Sequence, residues 1–192
     1  MKHSKMIIGI DEAGRGPLAG PVVVAGVKIK GKSKKIKAAL DGIRDSKKLY
    51  AKKREEWFLR LIRHPDIEWA VAVVPHTVID RINIYQATLR GARRACAALY
   101  RKKNNLVLLD GGLFLPAGIR QKTVIKGDEK IPVISAASII AKVTRDRIMV
   151  RLHNKYPQYR FDSHKGYGTK LHREMIRLYG ACPIHRRSFR LL

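Results

Sequence analysis

Two β-branched segments, residues 6–10 and 21–29, bracket a Gly-rich turn over residues 13–20, and this arrangement constrains the fold more than any other stretch of the chain. The turn is too short for a helical crossover, so the two strands should lie side by side and antiparallel. After a basic stretch at 30–37, residues 51–63 set Trp57, Phe58, Leu61 and Ile62 at helical spacing, and residues 67–74 read as a third strand. Residues 84–103 resemble a long helix with Leu89, Ala92, Cys96 and Leu99 on one face, although Gly91 lowers its propensity. Residues 106–109 form a wholly apolar strand, expected to be covered on both faces, that ends at Asp110-Gly111-Gly112. A fifth strand over 121–125, a helix over 132–155 with Pro132 in its first turn, and a last helix over 169–179 complete the pattern. Three strands followed by helix-linked strands predict a mixed α/β sheet in a single domain over residues 1–192. The tail from Pro183 would pack against it through Phe189.

Composition narrows the function. The chain carries 41 Lys plus Arg against 15 Asp plus Glu, a formal net charge of +26. Such a charge on a folded domain predicts a polyanionic partner, nucleic acid foremost, because phosphates neutralised by Lys or Arg release condensed counterions. An anionic membrane surface would also attract it, but the basic residues are dispersed and are not gathered on one amphipathic helix. No apolar run reaches the roughly 18 to 20 residues of a transmembrane helix, and the start is too short in apolar residues for a signal peptide. A cytoplasmic location is expected. Cys96 and Cys182 lack metal-ligand spacing and read as free thiols.

With so few acids, their placement is informative. Asp11 and Glu12 follow the first strand, Asp110 ends the fourth, and Asp128 follows the fifth. Ends of neighbouring strands lie about 5 Å apart, so these carboxylates can converge on one or two hard cations, Mg²⁺ or Mn²⁺. Other readings stand beside this one. Asp110-Gly111 is also a hairpin-turn signal, and Asp128 could be a solvated turn residue. Adjacent Asp11 and Glu12 point to opposite faces of a continuing strand, so both reach one site only if the chain turns there. Gly14 and Gly16 either make a tight connection or let backbone approach a ligand while Arg15 reaches a phosphate.

Gly9-Ile10-Asp11-Glu12-Ala13-Gly14-Arg15-Gly16-Pro17 through Val23 resembles the signature of ribonuclease HII, the type 2 ribonuclease H. Further segments follow in the family's order: Asp45-Ser46-Lys47-Lys48-Leu49, Leu109-Asp110-Gly111, Lys126-Gly127-Asp128, the run from Ser135 to Arg147, the run from Ser163 to Thr169, and His185-Arg186-Arg187-Ser188-Phe189. The resemblance implies an RNase H-like fold, a five-stranded mixed sheet flanked by helices with a helical C-terminal part. It implies endonucleolytic cleavage of RNA in RNA–DNA hybrids and at single ribonucleotides in duplex DNA, leaving 3′-hydroxyl and 5′-phosphate ends. Asp11, Glu12, Asp110 and Asp128 match the catalytic, metal-holding carboxylates. Gly14, Arg15 and Gly16 match the loop that contacts the ribonucleotide 2′-hydroxyl and flanking phosphates, and Tyr167 matches the tyrosine that stacks on the following deoxyribose. Asp146, inside the 132–155 helix, reads instead as an ion-pair residue. Lys47 is either a phosphate contact or a solvated lysine.

Two-metal hydrolysis is the expected mechanism. A non-catalytic RNA-binding protein would explain the charge but not the strand-end acids, and a resolvase would share the acids but not the Gly-Arg-Gly and tyrosine motifs. The chain begins just before the signature, so the amino-terminal substrate-binding domain of ribonuclease HIII is not expected. No clamp-binding box is evident near the end, which leaves a sliding-clamp partner without a motif, and a monomer is the default.

Overall fold

The computed structural model describes residues 6–30, 40–43, 49–101 and 105–192. Lys47, with the 45–48 part of its motif and most of the basic stretch after Lys30, lies outside the described residues. The strands are β1 (Ile7–Ala13), β2 (Val22–Ile29), β3 (Ile67–Val74), β4 (Leu106–Asp110) and β5 (Gln121–Val124). They form one sheet in the order β3-β2-β1-β4-β5. β1 pairs antiparallel with β2 and β2 with β3, whereas β1 with β4 and β4 with β5 are parallel, so the sheet is mixed as expected.

The helices are α1 (Ala51–Arg63), α2 (His76–Leu99), α3 (Gly127–Lys130), α4 (Pro132–Lys155), α5 (Phe161–His164) and α6 (Lys170–Tyr179). The pleat decides which covers which face. Val23, Ala25, Val27 and Leu108 pack with Trp57, Phe58 and Leu61 of α1 and Ala136, Ala137 and Ile140 of α4. Ile8, Ile10, Val24, Val107 and Leu109 pack on the opposite face with Leu89, Ala92, Cys96 and Leu99 of α2. The apolar run of β4 is thus divided between two cores, the reason it carries no polar residue before Asp110. Cys96 and Cys182 are free thiols. Among the described residues no helix is long and apolar enough to cross a membrane.

Several boundaries differ from the sequence expectation, three of them for an identifiable reason. β1 continues through Asp11 and Glu12 instead of ending at Ile10, because β2 pairs both residues with Ala25 and Val24. α2 starts at His76, ahead of the expected Ile84, because two helical segments meet at Asn83, whose φ of 63° and ψ of 167° interrupt the helix. The Asn83 side chain accepts a hydrogen bond from the Gln86 backbone at 3.0 Å, so it caps the second segment, the one whose periodicity is legible. α6 begins at Lys170 because Thr169 is its cap, accepting from the His172 backbone at 3.2 Å.

The C-terminal part forms a satellite core in which Leu18, Ala19, Met149, Tyr159, Phe161, Ile176 and Ile184 are buried and Phe189 packs at the edge. Through an isolated antiparallel bridge between Ala19 and His185, the tail returns to the glycine-rich loop that follows β1.

Candidate active site

Ile10 and Leu109 are the last partners in the parallel β1–β4 ladder. Asp11 and Asp110 are therefore the next residues on adjacent strands, at the roughly 5 Å spacing of neighbouring chains. Asp11 is only 2% exposed. Its Oδ1 accepts from the Glu12 backbone at 2.8 Å, while Oδ2 is buried with no hydrogen-bond partner among the described residues. Burial pushes Asp11 well above the usual carboxylate range, and the negative charges of Glu12 and Asp110 push it further.

Asp110 accepts from the Gly127 backbone through Oδ1 at 2.7 Å. The fit is close there, since a Cβ at 127 would stand 2.6 Å from the end of the Ile134 side chain at Cδ1 and 3.3 Å from Asp110 Oδ1. Asp128 follows β5 as expected, in the first turn of α3, which starts where Lys126 takes a left-handed conformation, φ 55°. Asp128 is buried, and the Ser135 hydroxyl donates to its carbonyl, tying α3 to α4. Glu12 pairs with Arg15 Nη1 at 3.3 Å.

Asp11 and Glu12 are consecutive residues of a continuing strand and the turn follows at Gly14, so the condition for both to face one site, a turn at these two residues, is not met. Glu12, Gly14, Arg15, Gly16 and Tyr167 line one cleft of roughly 360 Å³, together with Arg54, Ser138 and Lys142; Asp11, Asp110 and Asp128 do not line it. The Tyr167 side chain is 41% exposed there, with Lys142 Nζ and Arg145 Cζ at 5.6 and 5.7 Å from its ring centre. Asp146 pairs with Lys142 Nζ at 2.9 Å, in keeping with its reading as an ion-pair residue.

Sequence reasoning missed the two residues that tie down the glycine loop. Arg145 and Arg186 are completely buried. Arg186 donates to the carbonyls of Gly14 at 2.6 Å, Arg15 at 2.8 Å, Gly20 at 3.0 Å and Pro21 at 3.2 Å. Arg145 donates to Pro21 at 3.0 Å, Ala19 at 3.1 Å and Lys165 at 2.9 Å. Five carbonyls of the glycine loop thus converge on two guanidinium forks, which match such acceptors because they offer rigid planar donors. Gly14 passes so close to Arg145 that a Cβ would lie 2.0 Å from Nε, and its φ of 97° is left-handed. Burial and the nearby Arg145 push Arg186 down to about 9, so it stays charged at neutral pH. The available signal was the location of both arginines inside the matched segments.

The carboxylates suit a hard divalent cation: they are oxygen donors, mutually repelling, and one buried oxygen of Asp11 is unsatisfied among the described residues. Among the described residues no three His, Cys, Asp or Glu side chains are already gathered in a metal-holding arrangement.

The family model for Ribonuclease HII matches residues 8–192. A Ribonuclease HII of Caldicellulosiruptor bescii is 48% identical over 185 residues, covering 96% of this chain and 86% of the relative. The RNase HII in the PCNA complex from Archaeoglobus fulgidus superposes with a TM-score of 0.80 at 28% identity, covering 96% of this chain and 95% of that one. Bst-RNase HIII in complex with Mn²⁺ shares the fold, with a TM-score of 0.72 at 20% identity over 98% of this chain and 68% of that one. With its RNase H-like sheet and a match over nearly its whole length, the chain belongs to the ribonuclease HII family, the hydrolases that cleave RNA in RNA–DNA hybrids.

Proposed function

We propose that the chain acts as one catalytic unit that cuts the RNA strand of hybrids and incises on the 5′ side of single ribonucleotides in duplex DNA, leaving 3′-hydroxyl and 5′-phosphate ends. The observation that carries this reading is Glu12, which lines a cleft with Gly14, Arg15, Gly16 and Tyr167 and, like Asp110, acts electrostatically on buried Asp11. Asp11, Glu12, Asp110 and Asp128 would hold Mg²⁺ or Mn²⁺. The chemistry such ions would supply there, when bound, is a water of lowered pKa and an offset to negative charge on the leaving 3′-oxygen.

The chain's own groups perform selection and positioning. Arg186 and Arg145 occupy the carbonyls of the glycine loop from behind, which leaves its open side for the ribose 2′-hydroxyl and flanking phosphates. Tyr167 offers a half-exposed ring face for the following deoxyribose, and Arg15 and Lys142 supply positive charge for the backbone. Lys47 is assigned a phosphate contact on its matched segment alone. Base identity is not read, since the 2′-hydroxyl is common to all ribonucleotides. The role in the cell is ribonucleotide removal in the cytoplasm by a monomer. The Archaeoglobus complex motivates a sliding clamp as a protein partner.

Duplex DNA with one embedded ribonucleotide, incubated with Mg²⁺, Mn²⁺ or a chelator, tests the reading. Metal-dependent incision 5′ to the ribonucleotide supports it. Activity confined to long hybrids, or cleavage of an all-DNA duplex, refutes it.

A further inference from the structure

Tyr167 is anchored through its backbone. Its N–H donates to the His164 carbonyl at 3.0 Å, and its carbonyl accepts from the Thr169 N–H at 2.8 Å and from the ring of His172 at 2.9 Å. His172 is fully buried, and its other nitrogen, Nε2, lies 3.0 Å from Nε2 of the equally buried His185.

The protons in this chain are determined by its ends. A carbonyl oxygen only accepts, so His172 carries its proton on Nδ1 and accepts at Nε2. His185 must then donate from Nε2, which leaves its Nδ1 an acceptor. The Cys182 backbone N–H donates to that atom at 2.9 Å, as the assignment requires, and the Cys182 carbonyl and Sγ lie farther off at 3.2 Å. His164, stacked on His172 with ring centres 4.4 Å apart, donates through Nε2 to the Tyr159 carbonyl at 2.7 Å and accepts at Nδ1 from the Gly166 N–H at 3.1 Å. Burial pushes all three imidazoles down, His172 to about 4, in keeping with neutral rings.

We propose that His172 and His185 are positioning residues for the substrate contact: a one-directional relay of neutral imidazoles from the Cys182 amide to the Tyr167 carbonyl sets the tyrosine against the glycine loop. The proposal rests on the reading of Tyr167 as a contact to substrate. A protonated ring anywhere in the relay would set two N–H groups against each other. His185 and Arg186 are consecutive, so one stretch of the tail secures both walls of the cleft, Tyr167 through the relay and the Gly14–Arg15 backbone through the guanidinium.

Steady-state cleavage of duplex DNA with one ribonucleotide separates positioning from mere stability. A glutamine at 172 reaches the Nε2 end of the ring only, whereas an asparagine reproduces the Nδ1 donor. His172→Gln should raise KM about tenfold with a smaller change in kcat, as expected for one lost buried hydrogen bond, and His172→Asn should recover most of the loss. On a Tyr167→Ala background, His172→Gln should add nothing, because both act through the same ring. Independent additive losses overturn the relay while leaving the Tyr167 contact intact. A Tyr167→Ala enzyme with unchanged KM overturns that contact, and the proposal with it. Nitrogen-15 NMR of the wild-type histidines is a second readout that needs no variant. It should find an Nδ1–H tautomer at His172 and an Nε2–H tautomer at His185 at neutral pH, and the reverse assignment at either overturns the relay.

Discussion

Replacing Arg186 by alanine should destabilise the fold and weaken substrate handling together. The side chain is fully buried and donates four hydrogen bonds, to Gly14, Arg15, Gly20 and Pro21. Bonds from a charged donor contribute roughly 1.5–3 kcal/mol each when measured singly, but bonds from one guanidinium are not independent. Removing one member of a buried charged network costs about 3–5 kcal/mol, so we expect about 4 kcal/mol here. In a chain of this length that lowers Tm by about 8–16 °C. Urea unfolding and calorimetry measure the loss. Kinetics taken well below the new Tm should still show a raised KM, because the loop carbonyls are no longer held. Arg186→Lys keeps the charge but not the planar fork and should recover less than half of the loss. A cost below about 1 kcal/mol would falsify the view that this residue organises the loop.

Three further outcomes follow from the same geometry. Asp110→Asn retains an acceptor for the Gly127 N–H, so stability should change by less than about 1 kcal/mol while cleavage is nearly abolished and hybrid binding persists; full activity removes Asp110 from the site. Gly14→Ala combines a left-handed φ with a Cβ 2.0 Å from Arg145 Nε, and should lower stability by about 2 kcal/mol or more along with activity, read by thermal unfolding and incision rate; a neutral substitution refutes the close approach. For Asp11, the raised pKa means that the metal-free fold binds the proton more tightly than the unfolded chain, so its contribution weakens as pH rises from about 3.9 through the raised value. His172 acts in the opposite sense, its contribution being lost as pH falls from 6.5 to about 4. The informative quantity is therefore the Tm increment on adding Mn²⁺, which should be large at neutral pH and vanish near pH 4; an increment independent of pH contradicts the assignment.

Much of the architecture is legible in local pattern. β3 occupies residues 67–74 as its β-branched run predicts, and α1 occupies 51–63 as the spacing of Trp57, Phe58 and Leu61 predicts. Where the pattern misleads, the causes differ: β1 runs past Ile10 because the distant strand β2 offers partners to Asp11 and Glu12, whereas α2 is split locally at Asn83, where periodicity shows only its second half.

The sequence by itself determined the kind of partner, through its charge of +26, and the family, through ordered motifs that include the four candidate carboxylates. These are properties of residue identity and near neighbours. Only the tertiary structure decided that Asp11 adjoins Asp110, that Arg186 reaches the carbonyl of Gly14, and that Nδ1 of His172 faces the carbonyl of Tyr167. Each depends on contacts between residues far apart in the chain, or on the donor and acceptor facing a buried atom, and a local pattern contains neither.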